Sequence, residues 1–488
     1  MKEPSKTRSL LTNPKLLYPA VIIGLAMLFG ILASFGIFTF VQLLFFGVFI
    51  FLIFLAFSRA DIIYIIVLIF MFIPLSLGVV IKLKITWAAE PIVILLFGVL
   101  ILKNFLMAAR YCTFTVRNNP FTLPILLYIV LLIFNYMRFP LPASSVIGAS
   151  EEVGGIRFYY DKILMILLFY CTAFLVEKDH GFRQRMSRVL LIMTLIVTTF
   201  GIIATFFPTF YRVIVLLKEA DLLASHSILT GVWHRVVDPY IGTVRAYILW
   251  ITPFGILLVV SKMVKLTKGV HTAVLAYLFL GLILSATRNF FFGVFAGLTA
   301  WALLKKKKRL LIIFIITGLI AYFVPNLPIF QKQMTRLFYF SSDLERLTSF
   351  RFELFSTYWT TFKQNVLFGV GVGATEIRGQ LSGTPEYFFA ENLRFGGHGF
   401  FLGTLYTQGI VGLLPFLLIY IMMLCYGLRL FRTKDCEECR IVGLFTVMFI
   451  VYSFIPFIVG GTETYNQLYI VLGLLTGTYL RYKLKYAI

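Results

Sequence analysis

Long apolar runs, separated by short polar and basic segments, dominate the chain. About 20 apolar residues is the length at which an α-helix crosses the hydrocarbon of a bilayer. Backbone in lipid must satisfy its own hydrogen bonds, so each run predicts a helix. The pattern predicts spans near 16–35, 37–57, 62–80, 91–108, 122–137, 159–176, 188–208, 244–261, 272–286, 289–304, 309–325, 398–425, 441–459 and 465–481. The period-two alternation of a closed barrel is not what these runs show. The expected fold is therefore all-α: a polytopic membrane helix bundle of twelve to fourteen transmembrane helices. Only two connections are long, 209–243 and 326–397. The expected organisation is a transmembrane bundle over 1–325 (spans one to eleven, both termini cytoplasmic), an extracytoplasmic loop over 326–397, and spans twelve to fourteen over 398–488.

Composition sharpens this. Of 488 residues, 60% are hydrophobic and 13% charged, with 53 Phe. Soluble domains carry about 25% charged residues, so a cytosolic enzyme is excluded. The net charge of +23 would suggest nucleic acid in a soluble protein; here basic side chains anchor helix ends on the cytoplasmic side, and no nucleic-acid partner is expected. With both termini inside, internal segments hold 26 Lys and Arg against 7 acids, and external ones 17 against 14. The run from Lys305 to Arg309 is the strongest internal marker. Residues 1–15 are basic and lead into an apolar run without a small-residue cleavage site, which reads as a retained first span. None of the five Cys falls in an expected external loop, so no disulfide is expected. Cys436-x-x-Cys439 has no second ligand pair and reads as reduced thiols rather than a zinc site.

The candidate chemistry lies on the outer face. Arginines cluster there: Arg235 and Arg245 before span eight, Arg288 at the mouth of spans nine and ten, and Arg336, Arg346, Arg351, Arg378 and Arg394 in the large loop. Arg suits bidentate capture of phosphate or carboxylate, although a single surface arginine is more often a lipid-head-group contact. Arg288, in Ser285-Ala-Thr-Arg288-Asn289 between two apolar runs, is costly there unless it faces a wet cavity or a partner. Ser342-Asp-Leu-Glu345 resembles a capping box. It opens an amphipathic helix whose apolar face carries Leu347, Phe350, Leu354, Phe355, Tyr358 and Phe362, with Arg351 near the middle of that face. A functional cation and a buried ion pair with an acid such as Glu353 are the two readings of Arg351. His398 follows Gly396-Gly397 at the start of span twelve, where partial desolvation tunes a proton-transfer group; a structural role is the plainer reading. Gly369-Val-Gly371-Val-Gly373 either offers backbone amides to an anion or simply turns the chain. Neither a D-x-D pair nor an acid in the first outer turn supplies metal-binding carboxylates outside, so neither a metal nor another cofactor is expected.

These pieces in this order carry a family likeness. Ser285-Ala-Thr-Arg288, then Arg351 with Trp359, Asn365-Val-Leu-Phe-Gly369-Val-Gly-Val-Gly373, and Gly397-His398-Gly-Phe-Phe-Leu402 followed by Gly409-Ile-Val-Gly412-Leu resemble the O-antigen ligase and polymerase superfamily over roughly the last 200 residues. Arg235-Val-Val-Asp-Pro-Tyr-Ile-Gly242 is a weaker echo of the family's earlier arginine motif. The family usually has His-Asn where this chain has His398-Gly399, and often an acid where it has Thr407-Gln408. The resemblance implies an inverting, metal-independent glycosyltransferase in the cell membrane, acting outside on polyprenyl-diphosphate-linked glycan. It implies that arginines, here Arg235, Arg288 and Arg351, bind the diphosphate, and that His398 serves the acceptor hydroxyl. Arg378 and Arg394 are further candidates for substrate contact. A transporter or flippase for lipid-linked oligosaccharide is the rival class; it calls for charges deep in several spans, where this chain offers little beyond Lys103.

Overall fold

A computed structural model describes residues 52, 55, 58–72, 93–100, 119–138, 156–206, 251–284, 288–307, 359–360, 362–369, 400–459 and 465–486. Every element among them is helical: α1 (Ala60–Phe72), α2 (Thr122–Arg138), α3 (Ile156–Lys178), α4 (Phe182–Phe206), α5 (Thr252–Val260), α6 (Lys268–Leu284), α7 (Arg288–Leu304), α8 (Phe400–Arg432), α9 (Glu437–Val459) and α10 (Tyr465–Tyr486). Phe401–Arg432 and Glu437–Ile458 are each long and apolar enough to cross a bilayer. The chain is an all-α membrane protein. The starts of α2, α7 and α10 fall within a residue of those read from hydropathy. By contrast α4 begins six residues before its expected span, and α8 runs seven beyond. Those extra turns carry Arg183 and Arg185, and Arg429 and Arg432: hydropathy marks where lipid ends, not where the helix does. The expected spans 16–35, 37–57 and 309–325 lie wholly or almost wholly outside the described residues.

Lipid offers helices no hydrophobic reason to associate, so small residues that let backbones approach take over. Gly473 and Gly477 of α10 lie on α3, where a methyl group would come 2.8 Å from the Phe169 carbonyl oxygen and 2.5 Å from that of Ala173. Gly293 and Gly297 of α7 meet α9 in the same way, at the Tyr452 and Met448 carbonyls. α9 is the hub, touching α5, α7, α8 and α10. α5, apolar all round, is buried along almost its whole length. Polar groups inside mostly find partners: Tyr420 Oη donates to the Ile450 oxygen at 2.5 Å, Thr198 and Thr252 share a hydrogen bond of 2.9 Å, and Tyr64 bonds Thr172.

Charged side chains gather at one end. Glu438, in the first turn of α9, takes Arg183 Nε at 2.9 Å, Tyr482 Oη at 2.7 Å and Arg481 Nη1 at 3.5 Å. Arg481 also donates to the Glu177 and Val176 carbonyls at the end of α3, where the helix dipole favours a cation. Asp61 pairs with Arg59 and Arg185, each at 3.3 Å, and Arg185 also pairs with Asp179. Burial alone would raise the Asp179 carboxyl, but the Gly181 amide and Arg185 outweigh it and hold it below its ordinary value. Lys305 lies over the Phe431 ring. Every residue of this network belongs to, or borders, a segment that the sequence assigns to the cytoplasm.

The disulfide expectation is corrected. Cys436 and Cys439 form a disulfide, with Cα atoms 5.2 Å apart. The cause is local: Cys436 immediately precedes α9, and three residues of helix bring Cys439 back over it, within ordinary disulfide reach.

Candidate functional site

The opposite end of the bundle carries the described parts of the sequence motifs: Arg288, residues 362–369 and the first half of α8. Residues 359–360 and 362–364 are helical, and Phe362 is buried while Trp359 is half exposed; the rest of the expected amphipathic helix lies outside the described residues. The helix gives way to a tight turn: the Asn365 amide donates to the Phe362 oxygen at 2.9 Å, and the Gly369 amide to the Asn365 oxygen at 2.8 Å. Gly369 has φ +64°, the left-handed region where a side chain is strained. Its amide is spent inside the turn, so at this glycine the chain turns and does not offer an anion-binding amide.

α8 is not one continuous helix. Gly409, with φ 67° and ψ −167°, breaks it. Ile410 and Val411, just past the break, donate to the oxygens of Val366 and Leu367 at 3.0 and 3.1 Å. The turn at 365–369 thus caps the second half of the span, and the two glycine motifs on either side of residues 370–399 meet backbone to backbone. Phe368 anchors the same turn to α2: its ring lies 5.1 Å from that of Phe134 and 5.4 Å from the Arg138 guanidinium. The first half of α8 is anchored too. Phe401 is surrounded by Phe416, Tyr420, Phe454 and Phe457, with ring centroids 5.9 to 6.0 Å away. Thr407 donates to the Gly403 oxygen at 2.7 Å, and Gln408, 2% exposed, keeps Oε1 without a hydrogen-bond partner against Gly412.

Of the sequence-derived site residues, Arg288 is described as the first residue of α7. Arg235, Arg351, Arg378, Arg394 and His398 lie outside the described residues. Among the described residues no three His, Cys, Asp or Glu side chains are grouped as metal ligands. Sequence reasoning missed the break at Gly409 and the cap supplied by Val366 and Leu367. Its only local trace is that both motifs contain glycine.

The fold and this junction define a membrane helix bundle in which the turn at 365–369 is built into a broken span. Residues 273–417 match a family described as O-Antigen ligase, so this part of the chain is similar to that family. The matched stretch runs from α6 into α8 and includes Arg288, Arg351, Arg378, Arg394, His398 and both junction glycines. It excludes Arg235. Comparison with curated proteins gives no match. The family implies enzymatic glycan transfer at a membrane with lipid-linked glycan as substrate.

Proposed function

We propose that the chain polymerises polyprenyl-diphosphate-linked oligosaccharide repeats into a surface or cell-wall polysaccharide on the outer face of the plasma membrane. The observation that carries this reading is the junction: motifs flanking residues 370–399 in the family-matched segment are joined through backbone hydrogen bonds at the end of the bundle opposite the charged network. Arg235, Arg288 and Arg351 bind the diphosphate and stabilise its charge as it leaves, the role preorganised cations fill when no metal is used. His398 orients or deprotonates the attacking sugar hydroxyl. Arg378 and Arg394 contact the substrate further out. The reaction is inverting, and donor and acceptor are both lipid-linked glycan. Chain length and the surplus of external arginine favour an acidic polymer of the teichuronic-acid type. A flippase that delivers the repeat and a chain-length regulator are the expected partners. A ligase, handing the glycan to a separate acceptor, is the nearest alternative within the family.

The test is direct. Purified protein given lipid-linked repeat should build chains in excess chelator. Activity lost in chelator and restored by magnesium would remove the arginine scheme. Transfer to a different acceptor without chain growth would make the protein a ligase.

The orientation rests on the charge asymmetry and on the meeting of the internally assigned segments at one end. Cysteines placed at Ser341 and Gln380 should be labelled by an impermeant reagent in intact cells. Labelling only after permeabilisation reverses the orientation and moves the proposed site inside.

A further inference from the structure

In an unbroken helix Ile410 and Val411 would donate to carbonyls four residues earlier. The backbone at Gly409 turns them away, and they find Val366 and Leu367 instead. An unsatisfied amide in an apolar membrane setting costs several kcal/mol, so the break and the turn depend on each other. Neither glycine has room for a side chain. A methyl group on Gly409 would lie 2.2 Å from the Leu367 oxygen, and one on Gly369 would lie 2.5 Å from the Tyr406 oxygen. Both obstacles are backbone atoms, which cannot rotate aside as a side chain can. Phe368 on α2 and Phe401 in its aromatic surround hold the two sides of the junction from behind.

Chain order gives the junction a use. The Arg351 stretch leads into the turn, and His398 stands two residues before the start of α8. We propose that the Gly369–Gly409 joint is a positioning element of the transfer site. It keeps the outer-loop turn and the broken span at one fixed separation, so that the segment binding diphosphate and the segment serving the acceptor hydroxyl stay in register through turnover. The inference rests on the glycan-transfer reading above. The two glycines touch no substrate; they act through the segments they join. An added methyl at Gly409 must push the turn away by most of an ångström, and a misplacement of about 1 Å at a reacting pair costs up to about 10²-fold in rate.

Two variants of the full-length protein test this with a lipid-linked repeat as substrate. Gly409→Ala should lower kcat by about 10- to 10²-fold while the KM for donor stays within about threefold, because binding survives where alignment does not. Wild-type kcat in this variant would overturn the proposal. The second variant covers a failure of the first to insert. Val366→Cys/Ile410→Cys places two partly exposed cysteines across the joint, and mild oxidation should link them in native membranes; each single variant controls for the exposed Cys425. The linked protein should turn over within about twofold of its reduced form. Turnover lost on oxidation and regained on reduction would show that the joint has to open, and would overturn the proposal. Failure to form the link would remove the joint itself. A link that forms in the double variant while the wild type transfers no glycan would overturn the functional reading and leave the joint standing.

Discussion

Replacing Arg351 with Lys should cut glycan transfer by about 10²-fold or more, with the protein inserted at wild-type abundance. On the proposed roles, Arg351 meets the diphosphate with a planar, two-donor fork. Lys keeps the charge and loses the fork, and with it the geometry that stabilises the leaving group. His398→Ala makes the contrast. A general base contributes about 10²- to 10⁴-fold to rate, so turnover should fall while donor affinity stays near wild type. Both quantities need measuring at equal membrane abundance. Normal polymerisation by Arg351→Lys, or loss of donor binding in His398→Ala, would reverse the assignments and leave both residues structural.

The second large effect is on stability and lies at the other end of the bundle. Glu438 is the acid shared by Arg183 and Arg481, and it also accepts from Tyr482. Arg481 is almost buried, at 6% exposure; it also donates to two carbonyls of α3 and lies 5.9 Å from the centre of the Tyr482 ring. Glu438→Ala strands two neighbouring cations, and breaking a buried pair from one side costs about 3–5 kcal/mol. The lower end of that range applies, because Arg183 and Glu438 keep some access to water. The negative charge also suits the first turn of α9, where the helix dipole is positive. Heating in detergent followed by size-exclusion chromatography should show Glu438→Ala losing its folded peak well before wild type. Lys434→Ala, exposed and four residues away, should match wild type. Equal survival of the two variants would mean the network contributes nothing to holding α3, α4, α9 and α10 together.

How much of this was legible from sequence depends on how local the cause is. Helices such as α2 and α7 follow from their own residues, since a run of apolar side chains in lipid has no other way to satisfy its backbone. Their ends are less legible: Arg183 and Arg432 lie on helix that has already left the hydrocarbon, where hydropathy falls silent. Glu438 looks in sequence like one more inside charge. Its importance arises from Arg183, Arg481 and Tyr482, which lie far along the chain. The Cys436–Cys439 pairing is a local effect read wrongly, because the expected compartment was allowed to outweigh three residues of helical geometry. Gly409 sits in an apolar run that reads as uninterrupted helix, and only the turn forty residues earlier makes a break there tolerable. At the candidate site, the arginine and histidine readings rest on family likeness, and of those residues only Arg288, the first residue of α7, is among the described ones.

The junction also changes what the segment 370–399 is to the rest of the protein. Gly369 at one end is held against Tyr406, Thr407 and Gln408, only a short way into the helix that follows the other end. The described residues that flank this stretch therefore meet at one place, so it is closed at its base. Lengthening such a loop costs little: each doubling adds about 0.6 kcal/mol of closure entropy, and the clasp at its base does not shift. Insertions in this stretch should accordingly leave the geometry of the bundle beneath unchanged.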